Sequence, residues 1–212
     1  MGSFEANRRK VEERIREEKR LPPGQSLTLK FPVLHYGPVP VFKPSTWDFR
    51  VWGEVEEEKS WTWDEFLKLP RTQVRMDLHC VTRWSKADTL WEGVSIKSMV
   101  DAGLFKINPI ATHVMQHADQ GYTTNLPLDV ILQDNFLMAT HYGGEPLTAD
   151  HGYPLRGVIG HIPSRDDLKS PYLWKGAKWL RSLEFMTADR LGFWEKGGYN
   201  NRADVWDEER FR

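Results

Sequence analysis

The sequence predicts an α+β domain rich in strands. Three observations carry this. Short alternating runs recur, as in Trp47-Asp48-Phe49-Arg50-Val51 and Val74-Arg75-Met76-Asp77-Leu78, the pattern of half-buried strands whose side chains point to opposite faces in turn. The helical signals between them are brief, without the regular strand–helix alternation that a doubly wound sheet needs. Ten tryptophans fit a sheet-rich interior or a lined pocket, because large flat side chains bury much apolar area. A chain of 212 residues is long enough for a sizeable core. It shows no internal repeat.

Residues 4–20 read as a charged helix. Phe4, Val11 and Ile15 make a narrow apolar stripe, and Arg9/Glu13, Glu12/Arg16 and Arg14/Glu18 are i,i+4 pairs. So polar a helix makes no core of its own; it either packs on the domain or frays, and fraying is the expectation. From Leu21 to Pro44 lie six of the thirteen prolines, which predicts an extended wrap. Residues 1–30 thus form a helix and arm, and 31–212 the globular domain. Trp47 to Val51 is a strand ending near Gly53. Thr62-Trp63-Asp64-Glu65 fits a capping box, opening a short helix to Leu69 that Pro70 stops. After a strand ending at Cys80, Ser95 caps a helix with Ile96, Met99 and Val100 on one face, closed by Gly103. Thr112–Ala118 is a strand leading to a polar turn over 119–125. Leu128–Leu132 is a helix, and Phe136–Tyr142 a strand closed by Gly143-Gly144. Leu155–Ile159 and Ala177–Phe185 complete the strands.

Bulk properties exclude several classes. A net charge of −1 argues against a nucleic-acid binder held by phosphate contacts. One cysteine forms no intrachain disulfide. The pair Arg8-Arg9 is not followed by an apolar run, so a twin-arginine export signal is absent. No stretch approaches the ~18 apolar residues of a membrane span. A soluble, cytoplasmic protein is expected.

The chemistry centres on Leu78-His79-Cys80-Val81-Thr82-Arg83-Trp84-Ser85. Cys80 is in register with the apolar set Val74, Met76 and Leu78, and a polar, cationic turn follows. The thiol therefore sits where a buried strand surfaces, with Arg83 three residues on. A nearby cation favours thiolate, the form that attacks electrophiles and binds soft metals. A buried structural cysteine is the plain alternative. His35 lies in a proline-fixed apolar run and can face a site or solvent. Asp150-His151-Gly152-Tyr153-Pro154-Leu155-Arg156 sets an imidazole and a guanidinium at the ends of a turn. Lys175-Gly176-Ala177-Lys178-Trp179 puts small residues between two ammonium groups. Small residues let backbone N–H groups approach an anion while cations balance its charge, so the two stretches together suit one phosphate. His113 and His117 share a strand face, spaced poorly for zinc.

Five ordered motifs then carry a resemblance. They are His79 to Ser85, Trp91-Glu92-Gly93-Val94, Gly121-Tyr122-Thr123-Thr124, His151 to Arg156, and Lys178-Trp179-Leu180. From about Pro32 onward the chain resembles the sulfite oxidase-like molybdopterin-dependent oxidoreductases, most of all their short, haem-free prokaryotic members. The resemblance implies their strand-rich fold over residues 31–212 and a molybdenum–molybdopterin cofactor without haem. It also implies transfer of an oxygen atom to or from a small-molecule substrate, with an unidentified electron donor or acceptor. Cys80 matches the thiolate that ligates the metal. His35, Thr82, Ala118, Asp119, His151, Arg156, Gly176, Ala177 and Lys178 match positions that hold the cofactor. Arg83 and Tyr122 join Cys80 on the catalytic side, with Asp119 at its edge. The chain departs from the family after Arg156, where Ser164 to Lys169 intervene before Lys175; Arg165 or Lys169 is placed to fold over the site. It carries neither the haem domain nor the dimerisation domain of eukaryotic sulfite oxidases. The residues of a sulfite pocket are not assigned, so sulfite is not the expected substrate. A binding module without turnover and a metal-free Cys80 thiol enzyme are the alternatives.

Overall fold

A computed structural model describes residues 2–212, with side chains from residue 5 onward; the place of Phe4 in the helix stripe lies outside the described side chains. Among the described residues, eleven strands build two sheets. The first contains β1 (Ser26–Leu27), β4 (Thr72–His79), β5 (Trp84–Val94), β8 (Phe136–Tyr142), β9 (Glu145–Pro146) and β10 (Arg156–Ile159). Its path is β1-β5-β8-β10, with β4 also on β5 and β9 on β8. The second contains β2 (Asp48–Gly53), β3 (Lys59–Thr62), β6 (His113–Ala118), β7 (Thr123–Pro127) and β11 (Leu180–Met186), in the order β3-β2-β11-β6-β7. Pairing is antiparallel except for β1 with β5 and β2 with β11. The α+β expectation holds.

Facing sides of the sheets close one core, with Phe49, Val114 and Leu183 from the second sheet against Phe136, Met138 and Ile159 from the first. The first sheet is buried on its other face as well, where Met76, Leu78, Trp91, Leu137 and Val158 pack together. Such double burial explains where alternation misleads. On β4 the polar set is buried too, Asp77 at 1% and His79 at 2% exposure. Each has partners there: Asp77 takes a bidentate bond from Arg20 and the Asp88 N–H, and His79 Nδ1 bonds the Ser85 hydroxyl.

The same residues correct the N-terminal expectation. The helix α1 (Gly2–Glu17) docks: Ile15 is buried, and Arg20, just past its end, holds buried Asp77 at 2.7 Å. A buried, bidentate ion pair and the burial of Ile15 dock a helix that has no core of its own. Of the expected surface pairs, Glu12–Arg16 and Arg14–Glu18 form. The wrap is extended as expected, except that Ser26–Leu27 adds to β5.

The short helices follow their sequence signals. In α2 (Trp63–Phe66), Thr62 and Glu65 complete the capping box, and Ser95 caps α3 (Ile96–Asp101) through the Ser98 N–H at 3.0 Å. The helix α4 (Leu128–Ile131) is also as expected. The strands β3, β5 and β7 and the helix α5 (Phe193–Lys196) are not foreseen by the sequence reading. β7 begins inside the expected polar turn because Thr124 and Asn125, both buried, find partners in Glu195 and Lys175 far along the chain. β11 starts at Leu180 rather than Ala177, because Leu173–Lys175 forms a 3-10 turn and Gly176, Lys178 and Trp179 line a cleft.

Candidate functional site

The strands β4 and β5 are joined by the tight turn Cys80–Arg83. The Arg83 N–H donates to the Cys80 carbonyl at 3.0 Å, and the Cys80 N–H to the Trp84 carbonyl at 2.8 Å. Arg83 closes it with φ at +72°, a left-handed conformation that few side chains adopt readily. Gln25 of the wrap pins the turn, donating to the Cys80 carbonyl at 3.1 Å and accepting from the Ser85 hydroxyl at 3.3 Å. From the C-terminal segment, Arg210 donates to the Val81 carbonyl.

Cys80 is 7% exposed and opens onto a cleft of about 300 Å³, with its Sγ 3.1 Å from the Thr82 hydroxyl. Burial pushes the thiol above its ordinary value, while the Thr82 hydroxyl and then the Arg210 charge pull it partly back. Arg83 is exposed and does not line the cleft. The cation acting on the thiol is therefore Arg210, brought in by the fold rather than by neighbouring sequence.

Across the cleft the edges of the two sheets meet. The Gly157 N–H donates to the Ala177 carbonyl at 2.8 Å. Buried Gln116 of β6 clamps the same segment, giving its amide to the Lys175 carbonyl at 2.6 Å and accepting from the Ala177 N–H at 3.0 Å. A Cβ on Gly176 would stand 2.5 Å from the Gly157 carbonyl oxygen, so only glycine allows this approach. Gln116→Ala leaves two buried backbone groups unpaired, and a loss of about 2 kcal/mol in unfolding free energy is expected. Urea denaturation checks this; an unchanged midpoint would remove the clamp from the account.

Arg156 forms the floor of that wall. It is 1% exposed, bonds the carbonyls of His151 at 3.0 Å and Gly157 at 3.3 Å, and lies over the Trp91 ring. No carboxylate pairs with it among the described residues, and burial lowers its pKa to about 10. Half-buried Lys178 also faces the cleft, donating to the Asp150 carbonyl at 2.6 Å. Burial, then the charge of Arg156, lower its pKa to about 7. Two desolvated cations at one cleft, short of countercharge, are a site prepared for an anion.

His35, Cys80, Thr82, Tyr122, Arg156, Gly176 and Lys178 all line this cleft. Tyr122 donates to the Trp174 carbonyl at 2.7 Å, and His35 packs edge-on against Trp179. His151 stands behind the wall, stacked on Phe31 with its Nδ1 unpartnered. Ala177 is buried under the clamp. Ala118 packs on the main core, and Asp119 lines a different crevice with Arg181. Lys175 turns away from the cleft to a buried pair with Glu195 at 2.7 Å, so the two ammonium groups do not share one anion. Of the histidines on β6, His117 bonds Glu184 at 2.8 Å and His113 lies 3.9 Å from Asp189. The segment after Arg156 does not fold over the site. Arg165 pairs with Asp167 and Asp134, and Lys169 lines a separate depression beside His161.

Gln25, Gln116 and Arg210 escape sequence reasoning, because their bonds span 55, 61 and 129 residues respectively. Trp174, Trp194 and Tyr199 of the lining escape it too; only the tryptophan count hints at them.

Two histidines beside the site make stability depend on pH. Burial lowers His79 to about 3 and, with the charges of Lys178 and Arg156, lowers His151 to about 4. Both values lie below that of a free histidine, so the unfolded chain takes up these protons first. Stability is fully present above about pH 6.5 and is lost as the pH falls toward 4. Thermal unfolding across that window is expected to show a falling Tm; a flat profile would contradict the buried, neutral state of both rings.

The fold and the cleft define a class: an α+β protein whose buried thiol shares a cleft with one buried and one half-buried cation, both short of countercharge. The comparisons narrow it. The family profile described as the oxidoreductase molybdopterin binding domain matches residues 36–194. The uncharacterized oxidoreductase YuiH of Bacillus subtilis is 42% identical over 193 residues, covering 91% of this chain and 92% of that protein. The crystal structure of the sulfane dehydrogenase SoxCD from Paracoccus pantotrophus shares the fold with a TM-score of 0.60 at 18% identity, over 73% of this chain and 41% of that one. The chain belongs to the molybdopterin-binding oxidoreductase family, and it is an oxidoreductase. Among the described residues no helix is long and apolar enough to cross a membrane.

Proposed function

We propose that the protein is a molybdenum–molybdopterin oxidoreductase that moves an oxygen atom to or from a small substrate, with the Cys80 thiolate as metal ligand. Arg156 carries the reading: a buried guanidinium without a carboxylate, facing a cleft that also holds the lone thiol. The donor set fits the group. A soft thiolate suits molybdenum, and Arg156 and Lys178 suit the pterin's phosphate. When bound, the cofactor supplies the two-electron redox chemistry. The chain's part is to hold it: Gly176 and Gly157 keep the backbone close, Gln116 fixes that segment, and Gln25 and Arg210 fix the thiol turn. His35, Thr82 and Tyr122 border the remaining space.

Protein made in a host that supplies the cofactor is expected to carry close to one molybdenum per chain. Zinc alone, or no metal, would sink the proposal. No observation favours a module without turnover, since the segment after Arg156 lies off the cleft. The raised Cys80 thiol runs against a metal-free thiol enzyme. A cytoplasmic location and a separate electron partner belong to the same proposal, and cell fractionation tests the first.

A further inference from the structure

The cleft has two unlike walls. Among the described residues, Arg156 and Lys178 are its only charged lining groups, both on the Gly176 side, and no carboxylate lines it. Eight of its eighteen lining residues carry a phenyl, phenol or indole ring. Away from the cations these rings form a connected wall, Trp174 to Tyr199 at 5.6 Å and Tyr199 to Trp194 at 5.2 Å. Through Phe193 the wall reaches Tyr36 of the wrap, 4.5 Å between rings.

Depth separates the walls by task. Cys80 and Arg156 are 7% and 1% exposed, whereas Tyr36 is 49% exposed and Trp194 and Tyr199 are partly exposed. The thiol and Arg156 thus lie at the floor, and Tyr36, Trp194 and Tyr199 nearer the mouth. The aromatic wall still adjoins the thiol, because Val81, next to Cys80, packs with Trp174 on the cluster of Tyr172, Ala203 and Val205. Once Arg156 and Lys178 hold a phosphate, no cation is left in the lining for a second anion; Arg210, which acts on the thiol, lies outside the lining, against the Val81 carbonyl and the Tyr172 ring. Taking an unpaired anion out of water against aromatic rings costs far more than it returns. A neutral planar group gains there by stacking and by burial.

We infer that the substrate is a neutral organic molecule with a planar apolar body, received by Trp174, Trp194 and Tyr199, and not an inorganic oxyanion. The inference rests on the oxidoreductase reading above.

Calorimetry on the molybdenum-loaded protein tests it, with methyl phenyl sulfoxide as the neutral probe and sulfite as the anionic one. The neutral probe is expected to bind the more tightly. Trp194→Ala should weaken it about tenfold, in line with the loss of one stacked ring. Trp194→Phe should restore most of that, and pterin content should stay unchanged in both variants. Sulfite binding as tight as the aryl probe overturns the inference while leaving the oxidoreductase reading intact. So does a Trp194→Ala variant that binds the aryl probe like the parent. Loss of pterin from Trp194→Ala would assign the wall to the cofactor and overturn it as well. Absence of molybdenum from the parent brings down both readings, and elemental analysis reports that separately.

Discussion

Cys80→Ser is expected to end turnover while most of the pterin stays with the protein. Serine keeps the shape of the side chain but replaces a polarisable sulfur with a hard hydroxyl that hardly ionises near neutral pH. Groups that merely orient a metal's ligands typically change affinity or activity 10–100-fold, so loss of the ligand itself should cost more than about a hundredfold. The turn does not depend on the sulfur. Its bonds run through the Cys80 backbone to Trp84, Arg83 and Gln25, so the variant should fold. The proposed phosphate anchors, Arg156 and Lys178, lie on the opposite wall and are untouched.

Lys178→Ala should behave the other way round. A charge-assisted bond is worth about 1.5–3 kcal/mol, equivalent to roughly 10–150-fold in affinity. Lys178 bonds only one protein group, the Asp150 carbonyl, so its loss should cost cofactor rather than stability. Pterin fluorescence after denaturation, with molybdenum measured on the same samples, separates the two variants. A fully active Cys80→Ser, or a Lys178→Ala that keeps all its pterin, contradicts the assigned roles.

The chemical half of the site was legible in the sequence for a local reason. Cys80 ends an alternating strand, and Arg156, Gly176 and Lys178 sit in short runs of small and cationic residues, so each motif shows its character within about ten residues. The supporting half was not legible. Gln116 looks like any polar residue on a strand, and only the approach of Lys175 and Ala177, 59 and 61 positions away, gives its amide two partners. The same physics hid β5 and β7. Thr89 and Thr124 interrupt an apolar pattern, yet both are buried, satisfied by Met76 and Glu195 respectively. Periodicity treats a polar residue as exposed, and it fails wherever a distant partner satisfies that residue inside. Arg83 failed in the opposite direction, being close in sequence but turned out to solvent.

Lys175 offers the sharpest contrast between the two kinds of reading. Sequence spacing groups it with Lys178 around one phosphate, whereas the fold buries it at 1% exposure against Glu195 at 0%. Its ammonium also donates to the side-chain oxygen Oδ1 of Asn125 at 3.0 Å and lies over the Trp174 ring, and Glu195 accepts from Thr124 at 2.9 Å. Removing one member of a buried pair strands the other's charge, which typically costs about 3–5 kcal/mol, while replacing both with apolar groups is often near neutral. Lys175→Met and Glu195→Leu are each expected to lower unfolding free energy by about that amount. The double variant should recover a large part of the loss, less what Thr124 and Asn125 forfeit as their partners vanish. Urea denaturation of the parent, both single variants and the double variant measures the coupling directly. A Lys175→Met protein that is as stable as the parent but empty of pterin would return Lys175 to the phosphate and refute the pairing seen in the fold.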